Sequence, residues 1–267
     1  MSIIELMDKS PLWGMFLLSA AMILVSNESG FSVGKRQRRK DVSGDKIQTG
    51  PVVAASLGLL AFILAFSFGS VTSRYDDRKQ LLLKEANAIG TAFLRADLLT
   101  EPDRSEMRRV LFDYVTLRVD LSRRDSLEEI QLGIEKSEEM QRTLWSRAAA
   151  IARMQQTPIS ALVLQSLNEV IDLHGERLIV VLHHRMPHFF WYALYGLTVL
   201  TMIVSGYDAG LKGGRRSITT LVAPTLAFST ILLLIIALDR PLHGLSTVNQ
   251  AAMINLQQDM YHSMQNP

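Results

Sequence analysis

Residues 51–71 read PVVAASLGLLAFILAFSFGSV, an apolar run without a charged side chain and long enough to cross a bilayer as one helix. Pro51 stands where a helix tolerates proline, in its first turn. Ala54, Gly58, Ala61, Ala65 and Gly69 recur at helical spacing and form a stripe of small side chains, the pattern that lets two membrane helices approach closely. At about 100° per residue Phe62 and Phe66 lie just beside that stripe. Carried past the membrane, the same helix places Ser73, Asp77, Gln80, Lys84, Asn87, Thr91 and Arg95 on nearly the same side, so an apolar face continues into a polar one. This face has two readings. It is either the lipid-facing and then wet side of an amphipathic helix, or one wall of a pore with a hydrophobic constriction at Phe62 and Phe66 and a polar vestibule beyond.

Three further apolar runs flank this one. Pro11 to Val25 is the shortest and needs its neighbours to span, over about residues 10–27. A cleaved signal peptide is its competing reading, but Glu5, Asp8 and a single Lys9 replace a basic leader. The third span, about residues 189–206, opens with Phe189, Phe190, Trp191, Tyr192 and Tyr195 and closes near Tyr207, aromatic markers of both interfaces. The fourth, about residues 218–238, contains Pro224 and stops at Asp239, Arg240 and Pro241. Two charges at a membrane boundary must reach water or partners. Arg240 is expected to meet Asp76 or Asp77, tying span four to span two, with a separate donor for Asp239.

Between the second and third spans lies a polar segment with few helix breakers. Thr100 before Pro102, the break near Ser126, and Thr157 with Pro158 divide it into four helices. Leu82, Ala86, Ile89 and Phe93, then Val110, Leu111, Tyr114 and Val115, then Leu167, Val170 and Ile171 supply core faces at helical period. The expected architecture is an all-α membrane protein, four transmembrane helices with a helical soluble domain inserted between spans two and three. Its parts are residues 1–73 (first span pair with a basic loop), 74–187 (soluble domain), 188–240 (second span pair) and 241–267 (C-terminal tail).

Charge and composition remove several functions. The 267 residues are 48% hydrophobic and 20% charged, and the net charge of +2 gives no footprint for nucleic acid. Cysteine is absent, which excludes disulfides and thiolate sites. No phosphate loop, nucleophile elbow or zinc-protease motif occurs, so no catalytic residue, cofactor or metal is expected. His183, His184 and His188 cluster near the third span, but Pro187 interrupts them, and a basic belt at the interface explains them more simply. The loop holding Lys35, Arg36, Arg38, Arg39, Lys40 and Lys46, and that holding Lys212, Arg215 and Arg216, place those loops in the cytoplasm. The soluble domain and both termini then lie outside the inner membrane of a bacterium, in the periplasm. Arg74, Arg78, Lys79 and Lys84 after span two weigh against this.

Two blocks make the chain familiar. Ser73-Arg74-Tyr75-Asp76, Glu85-Ala86-Asn87-Ala88-Ile89-Gly90-Thr91 and Leu94-Arg95-Ala96-Asp97-Leu98-Leu99 form the first, and Leu238-Asp239-Arg240-Pro241 with Gly244 the second. Together they resemble the bestrophin-like family of bacterial integral membrane proteins over essentially the whole chain. Bestrophins are pentameric anion channels with four spans and a helical domain between spans two and three, so the resemblance implies a homo-oligomer that passes inorganic ions. It also implies that Phe62 and Phe66 form the neck, although Ser70 stands where a third neck residue would follow. Bestrophins keep the intervening domain in the cytoplasm, opposite to the orientation that the basic loops favour. The competing function is a non-conducting extracytoplasmic sensor or scaffold acting through a partner, since a four-helix domain between two spans also suits ligand sensing.

Overall fold

The structure, a computed structural model, describes residues 10–40, 48–124, 126–183, 185–213, 218–240 and 248–265. Among these residues there are eight helices and no strand: α1 (Leu12–Lys40), α2 (Gly50–Ala96), α3 (Asp103–Leu121), α4 (Leu127–Met154), α5 (Pro158–His183), α6 (His188–Lys212), α7 (Ile218–Asp239) and α8 (Ala251–Gln265). Four are long and apolar enough to cross a membrane: α1, α2, α6 and the Leu221–Asp239 part of α7. The helices form two compact units, one of Met1–Arg74 with Arg185–Ser246, the other of Tyr75–His184 with Thr247–Pro267.

In the first unit the packing rests on glycine. Gly30 and Gly34 on α1 face Gly206 and Gly210 on α6, and a Cβ at Gly206 would fall on the Asn27 carbonyl oxygen, one at Gly30 on that of Ile203. Only hydrogen side chains let the two backbones come this close, and close backbones are what hold helices together where lipid removes the hydrophobic drive. Around this seam Met15, Ile23, Leu60, Leu64, Trp191, Leu194, Met202 and Ile235 make an apolar core. α6 ends at Gly213, whose left-handed φ of 68° closes the helix at no steric cost.

The first span is longer than the sequence pattern indicated. α1 continues through Lys40, so Lys35, Arg36, Arg38, Arg39 and Lys40 sit on its last turns and not in a loop. Basic side chains at a helix C-terminus meet the negative end of its dipole. Lys46, Arg215, Arg216, Glu5, Asp8, Lys9, Pro241 and Gly244 lie outside the described residues, as does His184 of the histidine group.

At the end of the fourth span the expected pairing is rearranged. Asp239 carries the tie to span two: its Oδ1 lies 3.6 Å from Arg74 Nη1 and accepts the Met186 backbone N–H at 3.1 Å. Arg240 donates from Nη1 to the Ser10 carbonyl oxygen at 2.9 Å, binding the beginning of the first span. Asp76 and Asp77 are exposed.

The second unit is a helical bundle around Leu82, Ile89, Phe93, Met107, Leu111, Val115, Leu144, Leu167 and Val170. Its punctuation follows the sequence closely. α3 opens with Asp103 and Glu106 in its first turn, although Pro102 takes the N-cap position without a side-chain cap, and Thr100 does not fill that place. α5 opens with a reciprocal pair of bonds, Thr157 N to Ser160 Oγ and Ser160 N to Thr157 Oγ1, both 3.2 Å, with Pro158 as its first residue. The region after Pro241, expected as a tail, contains helix α8, which packs on α3. Met253 and Met260 enter the core, Gln257 Nε2 donates to Thr116 Oγ1 at 2.9 Å, and Arg108 donates to the Ser263 carbonyl at 2.9 Å.

Candidate functional site

The membrane part of α2 buries one side and leaves the other open. Leu60, Leu64, Ser67 and Val71 are buried against their own chain. Ala54, Gly58, Ala61, Ala65 and Gly69 are exposed, and a Cβ at Gly58 or Gly69 would meet nothing within 4 Å. Beside them Phe62 is 66% and Phe66 63% exposed. Among the described residues, the small stripe therefore packs against no other helix. Two phenylalanines at four-residue spacing stand beside this stripe of glycine and alanine, with Val52 and Leu59 also exposed on their side.

Along the same helix in the second unit, Asp77, Gln80, Lys84, Asn87 and Thr91 are exposed, as is Ser73 before them. Arg95 departs from this row. Its Nη1 donates to the Leu162 carbonyl oxygen at 2.8 Å, so the guanidinium is spent on holding α5 to α2.

The buried side of the same helix holds what the sequence reading passed over. Glu85 is fully buried, and side chains from α3 and α5 converge on it, with Gln141 of α4 joining through Tyr114. Tyr114 of α3 donates its hydroxyl to Glu85 Oε1 at 3.2 Å, and Arg118, one turn on, lies 3.3 Å from Oε1 and 3.4 Å from Oε2. Arg177 of α5 closes on Oε2. Gln141 of α4 donates to the Tyr114 oxygen at 3.1 Å, and His174 Nδ1 lies 3.2 Å from it. Burial pushes the Glu85 carboxyl up, but Arg118 and Arg177 outweigh that and leave it at about 2, so it is ionised. Burial also lowers His174, with Arg118 adding repulsion, to about 4, so the imidazole is neutral. One carboxylate thus faces two guanidinium groups, and this layer carries one excess positive charge.

Proton counting fixes the roles. An ionised Glu85 has no hydrogen to give, so its contact with Tyr114 uses the phenolic proton. The His174 contact with the same oxygen must then use a proton on Nδ1, which leaves Nε2 as a bare lone pair. That atom is buried and has no protein partner.

A sequence signal for this network existed. Glu85 interrupts the Leu82, Ala86, Ile89 stripe, Arg118 follows Leu111 and Val115, and His174 follows Leu167 and Val170, each a polar group on an otherwise apolar face. A charge on the core side of an amphipathic helix requires a partner. The spacing within one helix cannot say which other helix brings it.

Comparisons with known proteins agree with this architecture. A family model described as the bestrophin-like domain matches residues 16–253. Two crystal structures of a bacterial bestrophin homologue from Klebsiella pneumoniae, each with a single substitution, are similar at 15% and 16% identity with a TM-score of 0.67. They cover 96% and 97% of this chain and 100% of the other. A third crystal structure, of a protein described only as a membrane protein, gives 15% identity and a TM-score of 0.67 over 97% of this chain and 100% of its own. No curated protein matches the sequence.

Proposed function

This chain belongs to the bestrophin-like family, and from that footing we propose that it assembles into a homo-oligomeric channel for inorganic ions, with α2 lining the pore. The observation that carries the proposal is the open face of α2. In the interior of a bilayer, glycine and alanine on one face are useful where another backbone approaches, and among the described residues none does. A neighbouring copy supplies that backbone. Phe62 and Phe66, 66% and 63% exposed beside the stripe, then ring the axis as a dry constriction. Ser73, Asp77, Gln80, Lys84, Asn87 and Thr91 line the wider mouth, while Arg95 contributes to the bundle instead. The mouth mixes one acid with one base, so a preference for anions rests on the family comparison alone.

For orientation we follow the basic end of α1, which supports a reading with Lys35 to Lys40 in the cytoplasm of a bacterial cell and the soluble bundle in the periplasm. No catalytic role is part of this reading.

The test is purified protein in planar bilayers under an asymmetric potassium chloride gradient. Replacing Phe62 and Phe66 together by alanine widens and wets the constriction, so the conductance should rise. Absence of current in both wild type and the double variant, with oligomers confirmed, would overturn the channel and leave a non-conducting sensor or scaffold.

A further inference from the structure

We propose that the basic end of α1 is a docking surface for the headgroups of anionic phospholipids, in whichever leaflet that end lies. α1 is 29 residues long, about 43 Å, whereas the hydrocarbon layer is about 30 Å thick. Part of the helix therefore stands outside the hydrocarbon. Two aromatic residues mark the levels. Trp13, 70% exposed, sits in the first turn. At the other end Tyr207 of α6 lies beside Gly34, its carbonyl oxygen filling the place a Cβ there would take. Tryptophan and tyrosine concentrate at the membrane–water interfaces. Directly beyond Gly34 come Lys35, Arg36, Arg38, Arg39 and Lys40, which thus rise through the layer of lipid phosphates.

Three observations turn these cations toward lipid. At about 100° per residue, Lys35, Arg36, Arg39 and Lys40 point about 100° or more away from the line of Gly30 and Gly34, which faces α6. All four are exposed, and among the described residues no acidic side chain pairs with them. Two nearby cations differ in this. Lys212 of α6 is held by Asp208 at 2.6 Å, and the Arg38 guanidinium lies over Gly213 at the end of α6. Four like charges so close together repel one another and draw negative charge from outside the chain. A basic cluster of this size next to a span attracts anionic lipid. Below the cluster Val25 and Val33, 65% and 55% exposed, offer the same open side to acyl chains. A free phosphate has no use for that apolar surface, and a phospholipid covers both.

The surface is independent of the pore reading and is tested without current. The full chain, which has no cysteine of its own, carries an environment-sensitive fluorophore at Gln37→Cys in a neutral detergent. It is titrated with dioctanoyl phosphatidylglycerol and with dioctanoyl phosphatidylcholine. The anionic lipid should bind more than about tenfold more tightly, since each basic side chain near an anionic surface contributes about fivefold and one headgroup reaches two. At about 1 M salt, where the screening length falls to about 3 Å, the preference should shrink below about twofold. Changing Lys35, Arg36, Arg39 and Lys40 together to Gln should abolish it. Changing Lys136, Arg142 and Arg153, exposed bases of the soluble bundle, should leave it intact. Should the first variant fail to insert, the lipid comparison and its salt dependence on the wild-type cluster decide the matter without it. Equal affinity for the two lipids, or a preference that survives the loss of all four charges, overturns the proposal. Competition by inorganic phosphate beyond that of chloride at equal ionic strength would make the cluster a free-anion site and overturn it as well.

Discussion

Glu85→Gln removes one charge from the centre of the soluble bundle and almost nothing else. The amide keeps the shape and one acceptor for Tyr114, but Arg118 and Arg177 lose the carboxylate on which both close. Glu85 is fully buried, so water does not replace it. Its carboxyl is held at about 2 against 4.5, and that difference corresponds to about 3 kcal/mol of favourable interaction at neutral pH. Breaking a buried pair by removing one partner typically costs about 3–5 kcal/mol, which agrees. For a chain of this size such a loss lowers the melting temperature by on the order of 10 °C. The assay is thermal unfolding of the full chain in detergent, with Lys136→Gln as an exposed control. Because one carboxylate serves two guanidiniums, Arg177→Met in the Glu85→Gln background should restore at least about 1 kcal/mol by removing one orphaned cation. Two results would refute the reasoning: a Glu85→Gln protein that melts with the control, or an Arg177→Met change that costs the same in both backgrounds.

The same network sets an acid limit. His174 stays neutral in the fold to about 4 while the unfolded chain takes its proton at 6.5, so stability falls from about pH 6.5 downward; Glu85, depressed to about 2, withholds its own loss until below 4.5. Melting temperatures between pH 8 and 4 should show the first decline, and His174→Gln should flatten it. In the membrane unit, Gly206→Val drives a side chain into the Asn27 carbonyl and should cost about 2 kcal/mol or more, whereas Gly196→Ala, with nothing within 4 Å of its Cβ, should be neutral by the same melt. Orientation is readable from single cysteines at the exposed Gln37 and Ser146. An impermeant thiol reagent on intact cells should label Ser146→Cys and spare Gln37→Cys; the reverse pattern would invert the topology and match the arrangement of bestrophins.

The sequence by itself determined the all-α architecture, because hydropathy and helix punctuation are local. A run such as 51–71 cannot avoid the bilayer, and Thr157 with Pro158 starts a helix whatever surrounds it. It also marked Phe62 and Phe66, since two large residues beside a stripe of small ones are visible at a spacing of four. It did not reveal that the stripe is bare among the described residues, because exposure depends on where the other spans pack, and the same spacing reads alike whichever face of the helix is buried. Tertiary structure decided the rest. Gly30 and Gly206 stand 176 positions apart in sequence order yet set how close α1 and α6 approach. Asp239 reaches back to Arg74 of span two while Arg240 bonds the Ser10 carbonyl, a division between two buried neighbours that the spacing alone does not give. Residues 251–265 dock as a helix because the Met253 and Met260 side chains find a groove on α3, which a short apolar pattern after Pro241 does not announce. Glu85, Tyr114, Gln141, His174 and Arg177 come from four helices, and each reads within its own helix as a stray polar residue. Hydrogen bonds between them are long-range in sequence, so only the folded bundle brings donor to acceptor and leaves one nitrogen of His174 without a partner.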